Sequence, residues 1–548
     1  MSKGRGYAMA FFLRGFHKIA NRPPKRQPRQ QPSPGTSSAG SPEAADAAEE
    51  PGGASLAERT GWLRAQLAHC SDVVYHTYTA GTNTPCLLVY IEGSVDRNDL
   101  QQSVLKVILG NSFVQGAEQL AGNLFDRKMI PADRQKTLLT MTDALQDILE
   151  GSAVLLLDQE PRMMSFGLSS YVKRQIDEPN SETVIRGPRE AFVESIQDNL
   201  SMLRKRLRTH NFKCVEQIIG TKTRTRVITV YMEDVCSPAL VDEAARRLAD
   251  IETDSVLGSS YLEEFIEDNP YSPFPQLQYT ERPDVVAAAL LEGRIAIIVE
   301  GTPIAIIAPT TLFMMMQSAE DYYQRFWAGS WIRWIRYVFL FVSLLLPSFY
   351  IAVTTFHPET IPERMLITIA SSREVVPFSA FVEALIMEVF FEALREAATR
   401  IPKSVGQAVS IIGALIIGTA AVQAGIASAA MVIIVSLTGI ASFIIPHYDL
   451  GLSFRLLRFP IMILAGGFGL VGIACAMILI YIHLTELKSF GIPYLSPVVP
   501  MVPKDMKDIF VRAPWWTMIT RPKFTSSRNL HRQKPNGRKW ANPAEEGD

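Results

Sequence analysis

The sequence predicts an α/β or α+β soluble half of two subdomains, followed by an all-α membrane domain of four or five helices. Three observations carry that expectation. Of 548 residues 20% are charged and 47% hydrophobic, with a mean hydropathy of +0.11; such a balance implies very apolar stretches beside very polar ones. Between Trp62 and Gln324, short β-like runs alternate with helical patterns. Beyond Gln324, residues 337–356, 405–446 and 459–484 carry no Asp, Glu, Lys or Arg.

The first segment, residues 1–60, reads as a disordered extension. Lys3, Arg5, Arg14, Lys18, Arg22, Lys25, Arg26 and Arg29 stand there without an acid before residue 43, and Pro, Ser and Gly follow. Such a composition buries too little apolar surface to offset its ordering entropy. Its apolar core at residues 7–13 is broken by Arg14, so no signal peptide is predicted. The basic part could touch an anionic membrane surface or remain solvated.

Residues 61–185 form the first predicted subdomain and residues 186–325 the second. Strands are expected at residues 86–91, 153–157, 224–232, 294–300 and 303–308, the last two joined by the turn Glu300-Gly301-Thr302. Helices are expected at 99–109, 140–150, 189–208, 238–250 and 287–293. The break falls near residues 178–188. There Arg186, Gly187, Pro188 and Arg189 would form a rigid turn, with charge pairing to Glu190 or Glu194 fixing orientation; the same residues also suit plain fold stabilisation.

The membrane domain is placed at residues 326–490. About 20 apolar residues cross the hydrocarbon of a bilayer, which residues 337–356 supply. Trp327, Trp331 and Trp334, interleaved with Arg325, Arg333 and Arg336, read as an interfacial belt with cytoplasmic positive charge. Residues 405–446 suit two spans with a turn near 423–428, and residues 459–484 suit another. Residues 378–400 hold Glu388, Glu392 and Glu396 at a spacing of four, on one helical face. Acids at membrane depth are costly and face a bundle interior or a water path, so the stripe suits a cation path; an interfacial helix whose acids meet water is the alternative. Further on, Gln407, Ser410, Ala414 and Gly418 form a stripe of small or polar residues suited to close helix packing. Charge counts leave open whether the basic C-terminal tail, residues 491–548, lies on the same side as the soluble half.

Several function classes are disfavoured. Lys plus Arg number 54 and Asp plus Glu 55, a net charge of −1, which argues against a nucleic-acid binder. Five scattered cysteines form no CxxC or zinc pattern and read as small buried hydrophobes. No nucleophile elbow, P-loop or His-rich site is visible, so neither an enzyme nor a cofactor or metal site is expected. Gly467-Phe-Gly469-Leu-Val-Gly472 matches G-x-G-x-x-G, yet it lies inside an uncharged run with no strand before it, and reads as a place of helix packing or bending.

Several strings together resemble the GerA-type A subunits of bacterial spore germinant receptors. They include Glu182-Thr-Val-Ile-Arg-Gly-Pro-Arg-Glu-Ala-Phe-Val-Glu194, Glu267-Asp-Asn-Pro-Tyr-Ser-Pro-Phe-Pro-Gln276, Leu291-Glu-Gly-Arg-Ile-Ala-Ile-Ile-Val-Glu-Gly-Thr-Pro303, Gly406-Gln-Ala-Val-Ser-Ile-Ile-Gly-Ala-Leu415 and Pro493-Tyr-Leu-Ser-Pro497. The likeness covers about residues 65–500. It implies a nutrient-sensing subunit of the spore inner membrane, its N-terminal half cytoplasmic on the spore-core side. It implies partner B and C subunits and a homo-oligomeric ring that conducts monovalent cations. In such a ring Glu388, Glu392 and Glu396 would attract cations, and Gln407, Ser410, Ala414, Leu415 and Gly418 would line the closing part. An accessory protein of the kind encoded with the SpoVA proteins, without nutrient specificity, resembles the same family and is the alternative. A secondary transporter would call for more spans and inverted repeats.

Overall fold

The computed structural model describes residues 50–80, 84–109, 120–127, 130–132, 134–168, 179, 182, 184–400, 418–525 and 528–534. The expectations for residues 1–49 and for Gln407, Ser410, Ala414 and Leu415 lie outside these. Helices of eight or more residues are numbered in chain order.

The first sheet contains β1 (Val73–Ala80), β2 (Thr84–Ile91), β3 (Gln135–Leu138), β4 (Ala153–Leu157) and β5 (Met163–Phe166), in the order β1-β2-β4-β5-β3. The second contains β6 (Phe212–Ile219), β7 (Thr225–Met232), β8 (Gln278–Thr280), β9 (Ile295–Val299) and β10 (Ala305–Ala308), in the order β6-β7-β9-β10-β8. Every neighbouring pair within both sheets is antiparallel, so the soluble half is α+β. The two orders are the same, and so are local sequences. Val89-Tyr-Ile-Glu92 runs off the end of β2 as Val230-Tyr-Met-Glu233 runs off β7. Leu149-Glu-Gly151 precedes β4 as Leu291-Glu-Gly293 precedes β9, and both glycines take positive φ, 91° and 84°. The soluble half is an internal repeat.

Each sheet is covered on both faces, which is why β4, β9 and β10 are apolar and buried at every position rather than alternating. In the first, Leu88, Leu155 and Leu157 point into one core, and Leu87, Val89, Val154 and Leu156 into the other. The second core carries α1 (Leu56–Gln66) and α2 (Met141–Leu149). In the second sheet, α3 (Ile196–Arg206) and α6 (Pro283–Leu290) cover one face, and α4 (Pro238–Ala249) and α5 (Ser259–Ile266) the other. α3 starts later than the helical periodicity from residue 189 predicts. The Ser195 side chain accepts from the Asp198 N–H and caps it, while Phe192 is buried from an extended segment. α6 starts earlier than predicted, because Pro283 suits a first helical turn.

Five long helices follow: α7 (Phe326–Phe356), α8 (Glu363–Arg373), α9 (Ala380–Arg400), α10 (Ala429–Phe443) and α11 (Tyr448–Glu486). Among the described residues only α7 and α11 are long and apolar enough to cross a membrane; α10 is apolar but has 15 residues. The expected count of four or five spans is not confirmed, since residues 405–417 of the expected pair at 405–446 lie outside the described residues, and two details differ. Trp327, Trp331 and Trp334 are exposed, as an aromatic belt requires, but Arg333 and Arg336 turn inward and are buried. The run at residues 459–484 is not one straight helix. α11 reverses at Gly469 (φ 60°, ψ −140°), and both its ends return to residues 272–278. The Ser453 hydroxyl donates to the Pro273 carbonyl, while His483 Nε2 lies 2.8 Å from Ser272 Oγ. The Phe274 ring touches both arms, 5.6 Å from Phe454 and 6.1 Å from His483.

The glycine motif is the tip of this helical hairpin. Gly469 holds a backbone conformation open essentially to glycine alone, against the Phe356 ring. At Gly472 a Cβ would collide with the Leu464 carbonyl oxygen. Gly469→Ala is expected to cost about 1–3 kcal/mol from backbone strain, and Gly472→Val more. Both should show as reduced folded yield from membranes in fluorescence-detected gel filtration, whereas Gly467→Ala, with open space around it, should not.

The C-terminal segment packs on the soluble half rather than trailing free. Arg521 Nε donates to the Leu291 carbonyl (2.8 Å), Thr525 Oγ1 to that of Glu292 (2.6 Å), and Arg532 pairs with the Glu292 carboxylate at 2.9 Å.

Candidate functional site

The acidic face of α9 meets basic residues on the first arm of α11. Glu388 and Arg458 are fully buried and joined by a short charge-assisted hydrogen bond. One helical turn on, Glu392 accepts from Arg455 Nη1 at 3.1 Å. Arg458 Nη2 and Arg395 Nη1 lie 3.7 and 3.6 Å from its other oxygen. Arg395 donates to Ser442 Oγ (2.6 Å) on α10 and sits 4.3 Å from the Phe443 ring. Spacings of four on α9 and three on α11 place one carboxylate opposite each guanidinium. Nearer the hairpin tip, Glu383 is also fully buried. Its Oε1 accepts from both the N–H and the hydroxyl of Ser428 at 2.6 Å, where Ser428 caps α10, and its Oε2 lies 3.6 Å from Arg373 Nε. Three acids of α9 thus each meet an arginine.

A second cluster fixes α7 to the soluble half. Asp321 is buried between Arg333 Nε (3.3 Å) and both terminal nitrogens of Arg336 (2.9 and 3.0 Å). Arg333 also pairs with Asp508 at 3.2 Å, and Tyr322 donates its hydroxyl to Asp508 at 2.5 Å. Burial drives the Tyr322 phenol well above its ordinary value, so it stays a donor. Gly329 allows the close approach: a Cβ there would lie 2.8 Å from the Asp321 carbonyl oxygen.

The same short segment reaches the joint between the sheets. Tyr323 donates to Asp284 at 2.6 Å, and its ring lies over Gly187, where a Cβ would come within 2.8 Å. Arg282, fully buried, bridges the Pro188 carbonyl (3.0 Å) and Asp284 (2.9 Å). Glu182 accepts from Thr280 Oγ1 at 2.8 Å, while burial pushes its carboxyl up to about 7, only partly opposed by Thr280 and Arg282. A folded-state value above the ordinary 4.5 means that the fold favours the protonated acid. Stability from this group is full below about pH 4.5 and falls by on the order of 3 kcal/mol as pH rises to about 7. Glu263, pushed to about 7 by burial and Asp449, acts in the same sense. Glu182→Gln should therefore shrink, not abolish, the decline in chemical-denaturation stability between pH 5 and 7.

The model of the Bacillus/Clostridium GerA spore germination protein family matches residues 61–524. The chain belongs to this family. Among similar proteins, the uncharacterised membrane protein YfkQ of Bacillus subtilis (strain 168) is 46% identical over 462 residues, 84% of this chain and 89% of that protein. Spore germination protein KA of the same organism is 40% identical, over 87% of this chain and 88% of its own length. Spore germination protein GerLA of Bacillus cereus is 37% identical, over 85% and 95%. The crystal structure of the N-terminal domain of the A subunit of the Bacillus megaterium spore germinant receptor GerK3 is 31% identical. It covers 47% of this chain and 95% of that one, with a TM-score of 0.37.

Within this GerA chain the sequence-predicted residues fall into three groups. Glu388 and Glu392 come together on α9 with arginines against them; Glu396, one turn on, is also engaged. Gly418 lies 3.7 Å, through an added Cβ, from Val432 of α10. At the joint Gly187 and Pro188 contact Tyr323 and Arg282, whereas Arg186, Arg189 and Glu194 are exposed. Glu190 pairs with Arg206 (2.6 Å) and Lys205 (3.6 Å), while Glu194 contributes its carbonyl to the Gly301 N–H. Sequence reasoning missed Arg455, Arg458, Asp321 and Asp508 as partners. The spacing of Arg455 and Arg458 at the head of an uncharged run was the available signal.

Proposed function

We propose that this chain is the A-type membrane subunit of a nutrient germinant receptor in the spore inner membrane, its N-terminal half on the core side. It oligomerises and, with B and C subunits, opens a path for monovalent cations. Glu388 and Glu392 are the cation-attracting groups of that path, and Glu396, Gln407, Ser410, Ala414, Leu415 and Gly418 continue it. The observation that carries this reading is the pairing of Glu388 and Glu392 with Arg458 and Arg455. Carboxylates at membrane depth whose charge is answered by arginines do not hold a passing cation. The described conformation therefore reads as the resting one, and opening requires the first arm of α11 to move away from α9. The contacts of the C-terminal segment with Glu292 and Tyr322 fit this placement, because both then lie on one side of the membrane and the crossings are even in number.

Potassium release from spores with and without this protein, across amino acids, sugars and nucleosides, tests the reading. Release lost for one nutrient class supports a receptor subunit. Release slowed for every class and lost for none would assign the chain to the accessory role instead.

A further inference from the structure

Two of the five cysteines face each other where the two sheets meet. Cys70, just ahead of β1, and Cys214, in β6, form a parallel bridge. The Cys214 N–H donates to the His69 carbonyl and the Ser71 N–H to the Cys214 carbonyl, both at 3.0 Å. Paired strands run about 4.7–4.9 Å apart, inside the roughly 4.4–6.8 Å of Cα separation that a disulfide spans. The surroundings are polar. Cys214 Sγ donates to Asp72 at 2.9 Å, and Arg204, which holds Asp72 through bonds of 2.8 and 2.9 Å, has Nη2 3.7 Å from the same sulfur. The contact with the Cys214 sulfur, assisted by Arg204, holds the Cys70 thiol below its ordinary value against the effect of burial. By contrast, burial pushes the thiols of Cys86 and Cys236 up to about 11 and about 12. Cys70 is partly exposed, so a small oxidant can reach it.

We propose that Cys70 and Cys214 are an oxidant-sensitive thiol pair that closes to a disulfide between the two halves of the repeat, with hydrogen peroxide as co-reactant. The Cys70 thiolate attacks one peroxide oxygen; the O–O bond breaks, leaving Cys70 sulfenic acid and hydroxide. The Cys214 sulfur then attacks the sulfenic sulfur, the S–S bond forms, and the S–O oxygen departs as water with the Cys214 proton. Two thiols and one peroxide thus give one disulfide and two waters. The product ties the strand entering β1 to β6.

The test uses the full-length protein in detergent, treated with hydrogen peroxide, blocked with N-ethylmaleimide and digested without reductant for mass spectrometry. The expected result is a linked Cys70–Cys214 peptide and loss of two of the five maleimide-reactive thiols, both reversed by dithiothreitol. In Cys214→Ser, Cys70 should accumulate as sulfenic acid trapped by dimedone. Recovery of both cysteines as maleimide adducts in the wild type, at peroxide that already oxidises exposed methionines, would overturn the proposal. So would Cys70 passing to sulfinic acid with Cys214 unlinked. Because the decisive readout is made on the unsubstituted chain, a variant that misfolds does not obscure it.

Discussion

Arg458→Met is expected to destabilise the helical C-terminal half by about 3–5 kcal/mol, because it leaves Glu388 buried without its partner. The pair is fully buried, so neither group can turn to water. The remaining Glu388 oxygen has no hydrogen-bond partner to share the charge, and the closest other basic groups are engaged with Glu392. The double variant Glu388→Gln with Arg458→Met should recover most of the loss, since replacing both members of a buried pair is close to neutral. Apparent thermal unfolding of the detergent-solubilised protein, followed by intrinsic fluorescence, checks both. A double variant as unstable as Arg458→Met would mean that Arg458 acts through packing rather than through Glu388.

Asp321→Asn should be comparably damaging, by about 3–5 kcal/mol, for the mirror-image reason: one acid removed leaves two buried guanidinium groups. Arg333 keeps Asp508, but among the described residues Arg336 retains only the Met316 carbonyl at 2.7 Å. The clamp is the meeting point of the soluble half, α7 and the C-terminal segment, so its loss should free all three. Limited trypsin digestion reads this directly. Arg512 and Lys523 are tied to Tyr322 and Asp505 in the intact protein and should become early cleavage sites in the variant. An unchanged digestion pattern would show that the C-terminal segment is held by its other contacts alone.

Of the central strands, β2, β4, β7, β9 and β10 were readable in the sequence, whereas the short β5, Met-Met-Ser-Phe, was not. The apolar runs of β4, β9 and β10 needed no partner to be recognised. Edge strands β1 and β6 escaped notice: Val-Val-Tyr-His-Thr-Tyr-Thr-Ala and Phe-Lys-Cys-Val-Glu-Gln-Ile-Ile mix polar and apolar residues without clean alternation. The repeat was visible in the paired Val-Tyr-x-Glu and Leu-Glu-Gly strings, but two local likenesses do not announce a shared strand order. Of the candidate site, the acidic stripe on α9 was legible from its spacing alone. Its arginines were not, because a long uncharged run reads as a span whatever the chain does inside it. Hydropathy registers composition, whereas the reversal at Gly469 depends on one residue's freedom to adopt positive φ. Arg333 and Arg336 misled for a related reason. Beside exposed tryptophans they resemble interfacial charge, and only the return of Asp321 and Asp508 from elsewhere in the chain turns them inward.

The central claim is that arginines of the hairpin arm silence a cation path along α9. Basal potassium flux through the full-length protein reconstituted with its partner subunits, compared between wild type and Arg455→Gln with Arg458→Gln, tests it most directly. Raised flux without nutrient in the variant, abolished again by adding Glu388→Gln and Glu392→Gln, is the predicted result. Flux at the wild-type level in a correctly inserted variant would contradict it and place these ion pairs outside the path.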